Sequence, residues 1–319
     1  MTHKVIFDTD PGVDDAMAIV FGHLHPEIEL VGLTTVRGNA SVALTTRNAL
    51  HLVERFGIGC GVYRGADAAL QVPTGPVPDF VHGEDGLGNT HPPAPRGQAS
   101  DIDAAEFIVR TVRDNPKEIT LVAVGRLTNL AHALERDPEI AQLVRQVVVM
   151  GGALGKGGYG GNVSPCAEAN IAGDPHAADR VFCAAWPVVM VGLDVTMQVV
   201  MDPERMIRIR DNSGEAGAFV FEVSRFYSDF YASKGYEDGF PVHDSSALAW
   251  LVVPDAYRLQ RGALRAVTEG IAIGQTIQAP ADSHFPPGAW DGCPIQKVAI
   301  DVDATQVLDC YETTLRRAG

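Results

Sequence analysis

The sequence predicts an α/β fold: a doubly wound, mostly parallel sheet flanked by helices, in one domain with extra helices towards the C-terminal part. Three observations predict it. Short, wholly apolar runs alternate with amphipathic helical patterns through the first two thirds of the chain. The apolar runs show no period-2 alternation, as expected of strands buried on both faces. Finally, no linker, internal repeat or charge run divides the 319 residues, a length that one large α/β domain can fill.

The elements follow in order. Val5-Ile6-Phe7 reads as a buried strand ending at Asp8. A helix over Ala16–Leu24 keeps one apolar face, and Leu30–Val36 is a β-branched second strand stopped by Gly38. Ala49, Leu52, Val53 and Phe56 recur at helical spacing, giving a helix over Val42–Phe56, and Val62-Tyr63 marks a short third strand. Gln71–Arg96 is rich in Pro and Gly and reads as a long loop, the kind that is usually functional in a compact domain. Ala105, Ile108, Val109 and Val112 mark the next helix. Strand Ile119–Val124, helix Leu127–Leu134 and strands Val147–Met150 and Val188–Leu193 continue the alternation. Helices are expected around Ala216–Ser233 and Ser245–Val252, short strands mixed with loops over Ala266–Asp301, and a closing helix over Ala304–Arg317.

Composition narrows the function. Hydrophobic residues make up 46% of the chain, ordinary for a globular protein. The 40 acidic against 25 basic residues give a net charge of −15, which repels phosphate backbones and anionic lipid. Nucleic acid and membrane are therefore not expected partners. No signal-peptide pattern precedes the first strand, and five scattered cysteines without a C-x-x-C pair indicate neither a disulfide framework nor a zinc site. The expected location is the cytoplasm.

The densest chemical signal is Asp8-Thr9-Asp10-Pro11-Gly12-Val13-Asp14-Asp15. Helix capping explains one or two of these acids near a helix N-terminus. Four carboxylates at one strand end raise each other's pKa unless a cation neutralises them. A hard divalent ion held by Asp10 and Asp15 meets that need. His243-Asp244 is the second signal: Asp244 supplies a further anionic ligand, and His243 beside it is placed to act as general acid near neutral pH. Taken alone, the same pair reads as a buried histidine and a helix cap. Asn162, Glu168 and Asn170, with Asn39 after Gly38, suit recognition of sugar hydroxyls, although each also reads as an ordinary loop or turn residue. Gly155, Gly157 and Gly160 match G-x-G-x-x-G without the helix a dinucleotide site requires, and Lys156 is followed by Gly rather than Ser or Thr.

Asp8 through Ile19 resembles the N-terminal signature of the inosine-uridine preferring nucleoside hydrolases. Val124–Leu130, Val149–Gly152, Asn162–Ile171 and Pro241–Asp244 follow in that family's order. The resemblance implies hydrolysis of the N-glycosidic bond of ribonucleosides with one bound Ca²⁺. It places Asp10, Asp15, the main-chain carbonyl of Val124 and Asp244 on the ion. It places Asp14, Asn39, Asn162, Glu168, Asn170 and Asp244 on the ribose, with Met150 beneath. His82, Tyr227, Tyr231 and His243 would face the base, and Asp10 would activate the water. A homodimer or homotetramer is also implied. Ala169 stands where the family often has an aromatic residue, and the segment Leu154–Gly161 is unusually rich in glycine. Two other readings of the residues are a phosphatase of the haloacid-dehalogenase type, from Asp8-x-Asp10 after a strand, and a catalytically silent ribose-binding or nucleoside-binding protein. The phosphatase lacks a well-placed lysine, and a binding protein needs neither a base nor an acid.

Overall fold

The computed structural model describes residues 2–318, so the terminal Met1 and Gly319 lie outside the described residues. Its strands in chain order are β1 (His3–Thr9), β2 (Ile28–Thr35), β3 (Gly61–Arg64), β4 (Ile119–Ala123), β5 (Gln146–Met150) and β6 (Val188–Val191). Then come β7 (Val200–Met201), β8 (Phe240–Pro241), β9 (Tyr257–Ala266), β10 (Thr276–Pro280) and β11 (Ile295–Val302). Nine of them form one sheet in the order β10-β9-β11-β6-β5-β4-β1-β2-β3, and β7 pairs with β8 in a separate two-stranded ribbon. From β3 across to β11 every pairing is parallel, and β9 and β10 add an antiparallel edge.

The apolar strands are buried on both faces because successive residues enter different cores. Val5, Phe7, Val122, Val124, Val148 and Met150 pack with the helices Val13–Leu24, Gly214–Ser233, His243–Val252 and Ala304–Leu315. Ile6, Leu121, Ala123, Val147 and Val149 pack on the other side with Ala104–Asp114, Thr128–Arg136 and Pro175–Cys183. The strand order reverses between β1 and β4, so the connections leaving their carboxyl ends diverge and open a crevice there. Those ends carry Asp8–Asp15 and Val124.

Several expectations are corrected. The Pro- and Gly-rich stretch contains a helical turn, Asp79–His82. It is fastened by Asp85, whose carboxylate accepts from the N–H groups of Leu87, Asn89 and His91. Asn162–Ile171 is not loop throughout: Glu168 caps a short helix, Ala169–Gly173, and a second helix follows at Pro175–Cys183. The C-terminal strands are longer than expected, with ten residues in β9 and eight in β11. β9 carries three arginines in YRLQRGALRA, so no continuous apolar run announces it. Arg258 and Arg265 pair with Asp301 and Asp179. The helix expected over Ser245–Val252 begins at His243, which puts Asp244 inside its first turn rather than at its cap.

Candidate active site

Four carboxylates reach the crevice from two helix N-termini and one strand end. Asp14 and Asp15 lie in the first turn of Val13–Leu24, and Asp244 in the first turn of His243–Val252. The positive ends of both helices face this cluster, which lowers the cost of holding acids together. Asp14, Asp15 and Asp244 each present a ligand oxygen, and these oxygens all lie within 4.8 Å of one another. Asp14, assigned to the ribose from sequence, thus also belongs to the cluster that could hold a metal ion, while Asp10 is not part of that triplet.

Hydrogen bonds fix each acid differently. Asp15 is saturated by its surroundings: Oδ1 accepts from the Thr9 hydroxyl (2.5 Å) and the Asp10 N–H (3.1 Å), and Oδ2 from the Gly12 N–H (3.0 Å) and Asn39 Nδ2 (2.8 Å). Asp10 Oδ2 accepts from the Asn39 N–H at 2.7 Å, while its Oδ1 is buried without a hydrogen-bond partner, as is Asp14 Oδ1. Buried acceptors without partners cost free energy, and a cation or a bound hydroxyl removes that cost. The donor set is all oxygen, which fits a hard divalent ion.

Burial pushes the carboxyls of Asp10 and Asp244 well above the usual carboxylate range, and neighbouring acids push them further. Asp14 rises to about 7 and Asp15 rises too, for the same two reasons in Asp14 and for burial in Asp15. Asp8 also rises to about 7 through burial, but it plays a different part. Its Oδ2 accepts from the Thr34 hydroxyl (2.6 Å) and Asn129 Nδ2 (2.8 Å), and the residue is 1% exposed. It braces β1 against β2 and the helix Thr128–Arg136 that follows β4, and it does not line the pocket. A phosphatase nucleophile at Asp8 is thereby ruled out.

Close approach of backbone to Asp10 demands glycine at position 38. A Cβ there would meet Asp10 Oδ2 at 1.8 Å, below any real contact. Gly38→Ala is expected to displace the Asp10 carboxylate and cost at least about tenfold in kcat/KM, a misplacement effect. Steady-state kinetics beside an unchanged circular dichroism spectrum would check it.

The crevice opens into a pocket of about 570 Å³. Asp14, Asn39, His82, Val124, Met150, Asn162, Glu168, Asn170, Tyr227, Tyr231, His243 and Asp244 all line it, so these sequence-assigned residues converge on one cavity. Asp10 and Asp15 are buried and do not line it, but both are hydrogen-bonded to Asn39, which does. Asn170 Nδ2 donates to the Val124 carbonyl (2.7 Å) and the Met150 carbonyl (3.2 Å), joining β4 to β5 at the cavity floor. Glu168 accepts from the N–H groups of Gly152, Asn170 and Ile171, and Asn162 Oδ1 accepts from the Ala169 N–H. The ribose-type residues are therefore rigidly held, and part of their capacity serves the fold.

At the other end, His243 sits between the Tyr231 hydroxyl on Nε2 and the Thr196 hydroxyl on Nδ1, each at 2.8 Å. Tyr231 neighbours Tyr227, whose hydroxyl donates to Asp14 Oδ2 at 3.3 Å. Burial lowers the His243 pKa to about 4. His82 is lowered to about 3, by burial and then by His243. The Val13 N–H donates to His82 Nδ1 at 3.2 Å, which leaves the ring proton on Nε2.

Sequence reasoning missed Thr196, Leu193, Met197, Phe80, Tyr159, Phe230 and Tyr236, all at the pocket or on His243. The signal for Thr196 was its place just after the carboxyl end of β6, the edge where α/β crevices form.

Comparison with known proteins agrees with this geometry. The model of the family described as inosine-uridine preferring nucleoside hydrolase matches residues 5–309. A probable uridine nucleosidase 1 from Oryza sativa subsp. japonica is 40% identical over 310 residues, covering 96% of this chain and 94% of the relative. The inosine-uridine preferring nucleoside hydrolase of Crithidia fasciculata is 37% identical over 323 residues, covering 100% and 99%. Among solved structures, a plant nucleoside hydrolase (the PpNRh1 enzyme) superposes with a TM-score of 0.94 at 37% identity, covering 99% of each chain. A purine-preferring ribonucleoside hydrolase from Gardnerella vaginalis gives 0.90 at 33%, covering 98% of each. With the fold, the acidic crevice and these relatives in agreement, the chain belongs to the inosine-uridine preferring nucleoside hydrolase family and is an enzyme acting on the N-glycosyl bonds of ribonucleosides.

Proposed function

We propose that the chain hydrolyses ribonucleosides to ribose and free base in a Ca²⁺-dependent reaction, with Asp10 as the base that activates water and His243 assisting the leaving nucleobase. The observation that carries this reading is the buried, unpartnered Asp10 Oδ1 beside the convergent oxygens of Asp14, Asp15 and Asp244. Asp10, Asp15, Asp244 and the Val124 carbonyl would hold the ion. When bound, Ca²⁺ orients the attacking water and lowers its pKa.

The chain's residues do the rest. Asp10 Oδ1, free of protein donors, takes the proton of the water. Asp14, Asn39, Asn162, Glu168, Asn170 and Asp244 surround the ribose, with Met150 beneath it. The acidic ring favours the positive charge that develops on a ribose becoming oxocarbenium-like. Hydroxyl contacts position C1′, converting binding energy into orientation. The His82, Tyr227, Tyr231 and His243 end receives the base. A relative named as a probable uridine nucleosidase is 40% identical to this chain and one named as purine-preferring is 33% identical. A panel of inosine, adenosine, guanosine, uridine and cytidine, assayed for reducing sugar with and without chelation, tests both the reaction and its base preference. No release of ribose from any of them by the calcium-loaded protein would sink the reading.

Metal binding should also release protons. Burial and neighbouring acids push Asp14 up to about 7 and raise Asp10, Asp15 and Asp244, so metal binding is expected to displace protons from this cluster. The affinity for Ca²⁺ is expected to rise with pH through 7 and to fall as pH drops below it. Calorimetry of the stripped protein in two buffers of different ionisation enthalpy reads the proton count directly, and no proton release would contradict the assignment. A homodimer or homotetramer in the cytoplasm accompanies this reading, and light scattering tests the assembly. Among the described residues no helix is long and apolar enough to cross a membrane.

A further inference from the structure

The glycine-rich segment 154–161 runs along the pocket, and its Gly158, Tyr159, Gly160 and Gly161 line it. We propose that Asp194 is the latch that holds this segment in place, so that Tyr159 forms a wall of the base-binding end; this rests on the nucleoside reading above.

The geometry points to a single tie. Gly155, Gly157 and Gly158 have φ of 77°, 62° and 89°, a left-handed run that only glycine adopts without strain. A Cβ at Gly155 or Gly158 would meet nothing within 4 Å, and one at Gly157 only the Tyr159 ring, so side-chain packing does little to hold this stretch. Its backbone is held instead by one carboxylate. The Leu154 N–H donates to Asp194 Oδ2 at 2.7 Å and the Lys156 N–H to Asp194 Oδ1 at 2.5 Å. Asp194 is itself 0% exposed, in the short helix Leu193–Thr196 after β6. That helix also supplies Thr196, which holds His243 Nδ1, and Leu193, which lines the pocket. One turn of chain therefore positions both the glycine segment and the histidine. At the far end of the segment, Gly160 and Gly161 lie against the turn 164–167, where a Cβ would come within 2.8 Å of backbone, and the Gly161 N–H donates to the Pro165 carbonyl. The free span thus lies between Asp194 and that turn, and it carries Tyr159.

Asp194 acts as a positioning residue, so its test separates a latch from a general loss of structure. Asp194→Asn keeps the shape but turns one acceptor into a donor that faces a backbone N–H. We expect KM for the best nucleoside to rise about tenfold or more, the loss of one charge-assisted hydrogen bond, with kcat changing less. Trypsin should cut after the exposed Lys156 faster than in the parent. Tyr159→Ala should raise KM to a similar degree without changing that cleavage, and Asp194→Asn/Tyr159→Ala together should be no worse than the weaker single variant. Should Asp194→Asn fold poorly, Gly157→Ala strains the same segment from the surface and should give the same KM rise. Multiplicative effects in the double variant, or unchanged cleavage in Asp194→Asn, would overturn the latch. If the parent releases no ribose from any nucleoside, the substrate reading falls and the base contact of Tyr159 with it. Faster cleavage of Asp194→Asn would still establish the latch.

Discussion

Asp10→Asn is expected to lower kcat for ribose release by roughly 10²–10⁴-fold, the span of a lost general base, while leaving a folded protein that still binds Ca²⁺ in part. The fold should survive because the amide can keep the acceptor that receives the Asn39 N–H. Metal should survive in part because Asp14, Asp15 and Asp244 remain, with their oxygens within 4.8 Å of one another. What the amide lacks is a basic atom in the place of Oδ1, which in the parent has no donor from the protein. The backbone at Gly38 and Gly125 passes close to this carboxylate, and a Cβ added at Gly125 would come to 2.4 Å of Oδ1. Kinetics and calcium titration on the same preparation check the prediction. Near-parental turnover would mean that the water gives its proton elsewhere.

The Asp8–Asp15 segment was legible because it is local: four acids within eight residues after an apolar strand need no tertiary information to be seen as an electrostatic problem. The parallel half of the sheet was legible for a similar reason, since strands such as Val147–Met150 are buried on both faces and leave an unbroken apolar run. β9 was not, because an edge-side strand buries only part of its surface and its arginines find partners far away in sequence, Arg265 on Asp179 for one. The two capped helices after Glu168 were hidden because a capping carboxylate and a ligand carboxylate look the same in sequence. Glu168 in fact accepts three backbone N–H groups. Thr196 and Asp194 could not be found from their neighbours in the chain. Their partners, His243 and the glycine segment, lie roughly forty residues or more away and meet them only at the sheet edge. What the sequence could not show for His243 is its burial: a residue type carries its usual pKa, whereas the downward push on this ring belongs to the folded molecule.

That burial shapes the second large effect. His243→Ala is expected to cost roughly 10²–10⁴-fold on inosine, yet without the pH signature of an imidazolium acid. Burial lowers the His243 pKa to about 4 in the folded protein, which disfavours a second proton on the ring at pH 7. An acid titrating at the ordinary histidine value would make kcat/KM fall as pH rises through 6.5, and here no such fall should occur between pH 6.5 and 8. In the reading proposed here a neutral ring would act through its two hydrogen bonds, held by Thr196 on one nitrogen and facing the Tyr231 hydroxyl on the other. Thr196→Val, which removes the hydroxyl on Nδ1 while leaving both rings, should reproduce part of the His243→Ala loss without altering calcium binding. A profile for the parent that descends near pH 6.5 would show that substrate or metal restores the imidazolium. Unchanged inosine hydrolysis in His243→Ala would remove the residue from the chemistry altogether.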